Sequence, residues 1–331
     1  MKFGPVPIDQ AKGAVLAHSL ALPDGRLKKG TVLTDADIGP LEAAGYTDVI
    51  AARLEPGDIA EDAAAERLAR ALVPDPERAG LMLGRAATGR VNITAAAPGV
   101  AEILADRIHA LNALHPMITV ATVPEWQRME ARGMVATVKI ISYAVPEAAL
   151  EAACLAGQGA LRMSPVVCQP AELIQTTVED NEKLTDKGHR VTEARLSRMG
   201  CDLAPPKIVP HKLAPLTDAI RASTADIVLI LTGSATSDLH DVAPEAVRKA
   251  GGVVTYFGMP VDPGNLLFFG TLGDRPVIGL PGCARAPALN GADWVLERLL
   301  CGVTVTPRDI AGMGVGGLLK EIPARGRLRE A

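Results

Sequence analysis

The sequence predicts an α/β protein whose C-terminal half forms a doubly wound, mostly parallel sheet, with smaller α+β elements before it. Three observations carry this. Ile227 to Leu231 is an unbroken run of β-branched and leucine residues, long enough for one strand and apolar enough to be buried on both faces. From Ser164 on, apolar strand-like stretches alternate with amphipathic helical ones, a spacing that calls for crossover helices between parallel strands. Several of these strands run into short loops of small residues, and ligands of open α/β sheets bind at such carboxyl ends.

The 331 residues carry 34 Lys+Arg against 38 Asp+Glu, a net charge of −4, and 48% are apolar. A chain of this length buries a sizeable core and holds two or three domains. Aromatics make up only 3%, so the core is built from Ala, Val, Leu and Ile, which argues against a base-stacking platform. The near balance of charge gives no basic field for a polyanion, so any phosphate site must be local. Cys154, Cys168, Cys201, Cys283 and Cys301 form no C-x-x-C pair, and reduced thiols are expected rather than a disulfide framework. Apolar runs are too short to span a bilayer, and MKFGPVPIDQ lacks an apolar signal core. The expectation is a cytoplasmic homo-oligomer with neither nucleic acid nor membrane as partner.

Residues 1–75 read as a small α+β unit. Thr34 is placed to cap a helix through Leu41 that Gly45 ends, and Asp48 to Ala52 follows as a strand. Glu61 to Val73 has helical apolar spacing, and Pro74-Asp75-Pro76 stops it, so a junction is expected near Pro74. In a second α+β segment, 76–160, ATGRVNITA reads as a strand and Ala101 to Leu114 as a helix. MITVATV and VATVKIISYAV are further strands, and a helix from Glu147 closes on Gly157. The main domain, 164–310, reads as strand AELIQTTV, helix HRVTEARLSRMG, strand PKIVPH, helix LTDAIRAS, strand DIVLILTG, helix PEAVRKAGG and strand VVTYFGM. A hairpin around Gly273-Asp274 and a last helix in APALNGADWVLERLLCG complete it. Residues 311–331 read as a tail, frayed at RGRLREA.

The stretch Leu231 to Val247 carries most of the chemistry. A buried strand runs into Gly233, Ser234, Ala235 and Thr236, then into the carboxylates Asp238 and Asp241, with Pro244 suited to the first position of a helix. Small residues let a ligand approach backbone amides near a helix N-terminus, which favours phosphate. A tight turn with Asp241 merely favouring the helix dipole is the competing reading. MPVDPGN, with Pro263, Gly264 and Asn265, and GLPGCAR, with Pro281, Gly282, Cys283, Ala284 and Arg285, follow strands of the same sheet. Each is an ordinary turn by itself; three on one sheet edge would form one pocket. His211 and Lys212 leave PKIVPH on that edge, as phosphate contacts or as a solvated strand end. Arg285 reads as a phosphate partner or a surface ion, and Cys283 as a ligand contact or small packing residue. Asn290 and Trp294 sit on the following helix. The histidines show no metal-ligand spacing.

These loops in this order resemble the molybdopterin-binding fold shared by molybdenum-cofactor biosynthesis enzymes and gephyrin. Gapless matching sets Gly233 on the first glycine of the family's TGGTG-type loop and Asp241 on its functional aspartate. Pro244-Glu245 fall on its helix start, Pro263-Gly264 on its Pro-Gly segment and Leu280-Pro281-Gly282 on its last loop. MPVDPGNLL, PGCAR, NGADWVLERLL, MGVGGLLKEI and VATVKII are similar to bacterial proteins in which a molybdopterin-binding region precedes a molybdenum-cofactor nucleotidyltransferase domain. Ser234, Ala235 and Thr236 stand where the enzymes keep Gly, Thr and Gly. Asp262 replaces a basic residue, and His211-Lys212 replace an acidic pair.

The resemblance implies molybdopterin, or the molybdenum cofactor, held by the three loops with His211, Lys212 and Arg285 supplying charge, and Asp241 as the residue for any catalysis. It implies a carrier handing the cofactor to a separate nucleotidyltransferase or an apo-molybdoenzyme, which the altered loop and the chain's ending soon after GVGGLLKEI favour. A transferase that adenylylates molybdopterin or inserts molybdate, with Mg2+ if nucleotide-dependent, is the alternative. A pyrophosphatase of the competence-damage type is a third.

Overall fold

Five of the six strands in the largest sheet point the same way, and that direction decides where the loops of the C-terminal half meet. The computed structural model describes residues 1–178 and 182–319. The expectation that RGRLREA frays lies outside them. The chain divides into two compact units, Met1–Ala97 with Ala101–Met163, and Pro98–Val100 with the chain from Ser164 on.

The first unit has two buried clusters. One gathers Ile8, Leu16, Leu33, Leu41 and Val49 beneath a sheet in which Asp48–Arg53 lies antiparallel between Lys2–Pro7 and Val15–Leu16. Its helix Asp35–Ala43 starts where the Thr34 N–H donates to Asp37 Oδ2 at 2.8 Å. Hydrogen bonds from Thr34 hold the Asp37 carboxyl below its ordinary pKa. In the other cluster, helix Glu61–Leu72 buries Ala64, Leu68 and Leu72 against Val91, Ile93, Val138 and Ile140 of strands Arg90–Ala95 and Met134–Ile140. The helix before Pro74 thus puts its apolar face into the second cluster. The helix expected from Ala101 starts at Ala105 instead, and Gly99–Ile103 is a strand. Its residues are buried except for the half-buried Glu102.

The second unit holds strands β1 (Ala171–Thr177), β2 (Lys207–Pro210), β3 (Ile227–Leu231), β4 (Val253–Phe257), β5 (Phe268–Leu272) and β6 (Arg275–Leu280). Their order is β2-β1-β3-β6-β5-β4, with β1 parallel to β2 and β3, and β3 parallel to β6. Only β5 runs against its neighbours β6 and β4. The carboxyl ends of β1, β2, β3, β4 and β6 therefore share one edge. Between them come helices α1 (Glu182–Ser197), α2 (Leu213–Arg221) and α3 (Val242–Lys249), and after them α4 (Gly291–Leu300).

All five residues of β3 are buried. Val228 and Ile230, with Ile174 and Val277 beside them, pack against Leu216 and Ile220 of α2 and Ala246 and Val247 of α3. Ile227, Leu229 and Leu231 face the other way and are covered as well, so the strand needs an apolar residue at every position. All four helices start elsewhere than the sequence suggests, α1 at Glu182 rather than His189 and α2 at Leu213 rather than Leu216. α3 begins at Val242 with Asp241 as its cap, which puts Pro244 at its third position, where its missing N–H is still no loss. α4 begins at Gly291, capped by Asn290.

Phe268 is 1% exposed, so Phe268→Ala should lower the stability of the C-terminal unit by about 3–5 kcal/mol in denaturant melts.

Candidate functional site

The loops at the shared edge are tied to one another by hydrogen bonds. At the exit of β3, the Gly233 N–H donates to Thr176 Oγ1 at 2.9 Å, and the same hydroxyl meets His211 Nδ1 at 2.8 Å. The His211 N–H donates to the Thr177 carbonyl. The ends of β1, β2 and β3 are thus joined through Thr176. Gly233 has no room for a side chain, since a Cβ would stand 2.6 Å from the Thr176 carbonyl oxygen. Beyond it Ser234 and Ala235 are exposed, and Thr236 is buried with its hydroxyl 3.3 Å from that of Thr232.

Asp241 spends both carboxylate oxygens on backbone. Oδ1 accepts from Val242 N–H at 2.7 Å and Oδ2 from Ser237 N–H at 3.1 Å. Asp238 closes a tighter turn by accepting from His240 N–H at 2.8 Å. Both carboxylates shape the loop and the helix start, and Asp241 is half-buried while Asp238 is exposed.

The other two loops meet at the start of α4. The Gly291 N–H donates to the Pro263 carbonyl at 2.8 Å, and Gly264, at φ +144°, would bring a Cβ 2.9 Å from that same nitrogen. Asn290 caps α4 by accepting from Ala292 N–H, while its Nδ2 donates to Cys283 Sγ at 3.1 Å. Cys283 and Gly282 are exposed, as is Asn265; Pro281, Ala284 and Arg285 are buried. Residues past α4 brace the same rim, where Asp262 N–H donates to the Gly317 carbonyl at 2.8 Å and Leu319 N–H to the Asp262 carbonyl at 2.9 Å.

Arg285 closes the circuit. Its Nη2 donates to the Thr232 carbonyl at 2.9 Å, joining the last loop to the exit of β3. The side chain is 9% exposed, its Nε has no partner, and among the described residues no carboxylate pairs with it. The surface-ion reading is therefore wrong. Burial pushes the guanidinium pKa down from its ordinary value. A buried cation without a counter-charge costs free energy that an anionic ligand offsets, so the residues present suit a phosphate. Lys212 stands exposed at the start of α2. The Cys201 and Cys301 thiols are pushed up by burial to about 11 and about 12, leaving Cys283 as the exposed cysteine. Among the described residues no three of His, Cys, Asp and Glu gather as a metal set.

Two residues of this rim were not selected from sequence. Thr176 lies in a strand whose pattern gives no hint of a bridging hydroxyl. Arg195 sits in an amphipathic helix whose own sequence gives no sign of a buried ion pair. It is buried, with Nε 2.5 Å from Asp293 Oδ1 and its other nitrogens donating to the carbonyls of Ala284, Ala286 and Ala288. It holds the backbone that follows the last loop.

A parallel α/β domain with loops gathered at its carboxyl edge is a ligand-binding class, and the family model for a probable molybdopterin binding domain matches residues 166–300. Residues 5–53 match a model described as a domain of unknown function (DUF8806). Among solved structures, molybdenum cofactor biosynthesis protein B is 17% identical, covering 41% of this chain and 95% of that one at a TM-score of 0.31. The molybdopterin biosynthesis moea protein from Pyrococcus horikosii is 13% identical, covering 95% of this chain and 76% of that one at a TM-score of 0.30. No curated protein matches the chain.

Removing the Arg195 side chain should leave Asp293 unpaired and loosen the last loop. Arg195→Met is expected to cost about 3–5 kcal/mol in a urea melt.

Proposed function

We propose that this protein binds molybdopterin, with or without molybdenum, and serves in biosynthesis or delivery of the molybdenum cofactor. The observation that carries the reading is Arg285, a buried guanidinium without a counter-ion among the described residues, set beneath loops of small residues. The terminal phosphate of the pterin is the group it would pair with, and such charge-assisted bonds are strong. Gly233, Ser234, Ala235 and Thr236 would face the pterin with Asp238 and Asp241 behind them. Pro263, Gly264 and Asn265 would flank it, as would Pro281, Gly282, Cys283 and Ala284. His211 and Lys212 would add charge near the phosphate. In this reading the sheet and its crossover helices have the doubly wound order of that fold, and the domain acts in the cytoplasm as a homo-oligomer.

A carrier role is favoured over turnover, because both oxygens of Asp241 are already engaged by backbone amides and Ser234-Ala235-Thr236 replace the more open Gly-Thr-Gly. The recipient would be a nucleotidyltransferase or an apo-molybdoenzyme. A transferase using Mg2+ and a nucleotide is the competing reading.

Titration with molybdopterin, followed by pterin fluorescence, should give saturable binding that Arg285→Ala weakens about 10- to 100-fold. Unchanged affinity in both Arg285→Ala and Asp241→Asn would move the site elsewhere. Incubation with molybdopterin, ATP, Mg2+ and molybdate should leave the pterin unmodified; adenylylated pterin would establish the transferase instead.

A further inference from the structure

A cavity of about 590 Å3 lies apart from the three loops and shares no lining residue with them. Its walls include Gln175 of β1, Ile208 of β2, and Lys183, Asp186, His189 and Arg190 of α1. Gln175 and Thr176 are successive strand residues, so their side chains leave opposite faces of the sheet. The cavity is therefore on the other side of β1 from the Thr176 hydroxyl that joins the loops.

Several of its polar groups are unspent among the described residues. Gln175 is fully buried; its Nε2 donates to the Thr185 carbonyl at 2.9 Å, and its Oε1 has no partner. A Cβ on Gly188 would stand 2.2 Å from that oxygen, so glycine is what leaves it space. His189 Nδ1 is likewise buried without a partner. Buried polar atoms of this kind are scarce in folded proteins, and a missing ligand is one of the few physical accounts of them. Lys183 and Arg190 have no carboxylate partner among the described residues, although Asp186 lines the same space. The cavity thus offers two cations to an anion, and an amide oxygen, a carboxylate and an imidazole nitrogen to hydrogen-bond donors. Ile208, 50% exposed, adds an apolar wall. The volume is that of a small-molecule pocket.

We propose that this cavity is a second ligand site, taking a phosphorylated small molecule that also carries N–H donors and is about the size of a nucleoside monophosphate. Lys183 and Arg190 receive the phosphate; Gln175, Asp186 and His189 receive the donors. This assignment is independent of what the three loops bind.

Calorimetric titration of the full chain with adenosine 5′-monophosphate, and separately with inorganic phosphate, tests it. The nucleotide should bind saturably at one per chain and at least tenfold more tightly than phosphate. Lys183→Ala/Arg190→Ala, a change at the ends of long side chains, should weaken it at least tenfold with an unaltered melting temperature. Gln175→Leu should reduce the preference of the nucleotide over phosphate, which a merely structural glutamine would not do. No saturable binding, or binding untouched by the double variant, overturns the proposal. Equal affinity for the two probes overturns the assigned ligand class. Loss of nucleotide binding in Arg285→Ala but not in the double variant would put the nucleotide among the three loops and also overturn it.

Discussion

An arginine buried with no counter-ion among the described residues is the constraint around which the carboxyl edge of the sheet is organised. Arg285 and Arg195 are equally hidden, each 9% exposed, yet their surroundings differ in kind. Arg195 meets a carboxylate and three carbonyls, so its charge and its donors are matched inside the protein. Arg285 has one described carbonyl for a group with five donors. The first pattern is that of a brace, and the second is what the proposed anion site rests on. Residue type and burial cannot separate them; the partner list can.

What brings Arg285 under the loops is strand direction. Because β3, β4 and β6 run the same way, the segments 232–237, 259–265 and 281–285 leave the sheet at one edge though far apart in sequence. Hydrogen bonds then fix their spacing, through Thr176 on one side and through Asn290 and Gly291 on the other. Each contact is worth little alone, and their closure into a circuit makes the rim a single object. Residues Gly317 to Leu319 join that circuit at Asp262, so part of the segment that reads from sequence as a tail has a structural task.

Much of this was legible because it obeys local rules. The unbroken Ile227–Leu231 run announced a strand covered on both faces, and Gly273-Asp274 announced a hairpin, since period and turn chemistry are written in neighbouring residues. Thr34 and Gly45 bracket a helix for the same reason. What escaped was non-local. Whether Glu61–Leu72 packs with the residues before or after it depends on partners as distant in sequence as Ile140, Leu150 and Ala153. Arg195 gives no sign of a buried ion pair in its own helix because Asp293 is 98 residues distant. Thr176 is one Thr among two at a strand end, and only the return of β2 and β3 to the same edge gives its hydroxyl two partners.

The altered loop after β3 can be weighed position by position. Of its residues, Gly233 is the one whose side-chain space is already filled by backbone, and it is a glycine. Ser234 and Ala235 project into the open, where a side chain meets no steric objection, and Thr236 turns inward to the Thr232 hydroxyl. The loop has therefore kept the small residue that its path requires. Of its three departures from the Gly-Thr-Gly of the enzymes it resembles, Thr236 is buried, and Ser234 and Ala235 fall on exposed surface. Side chains there stand between a ligand and the backbone amides, which loosens the closest approach without disturbing the path of the chain. On the reading proposed above, that pattern favours a carrier over a transferase.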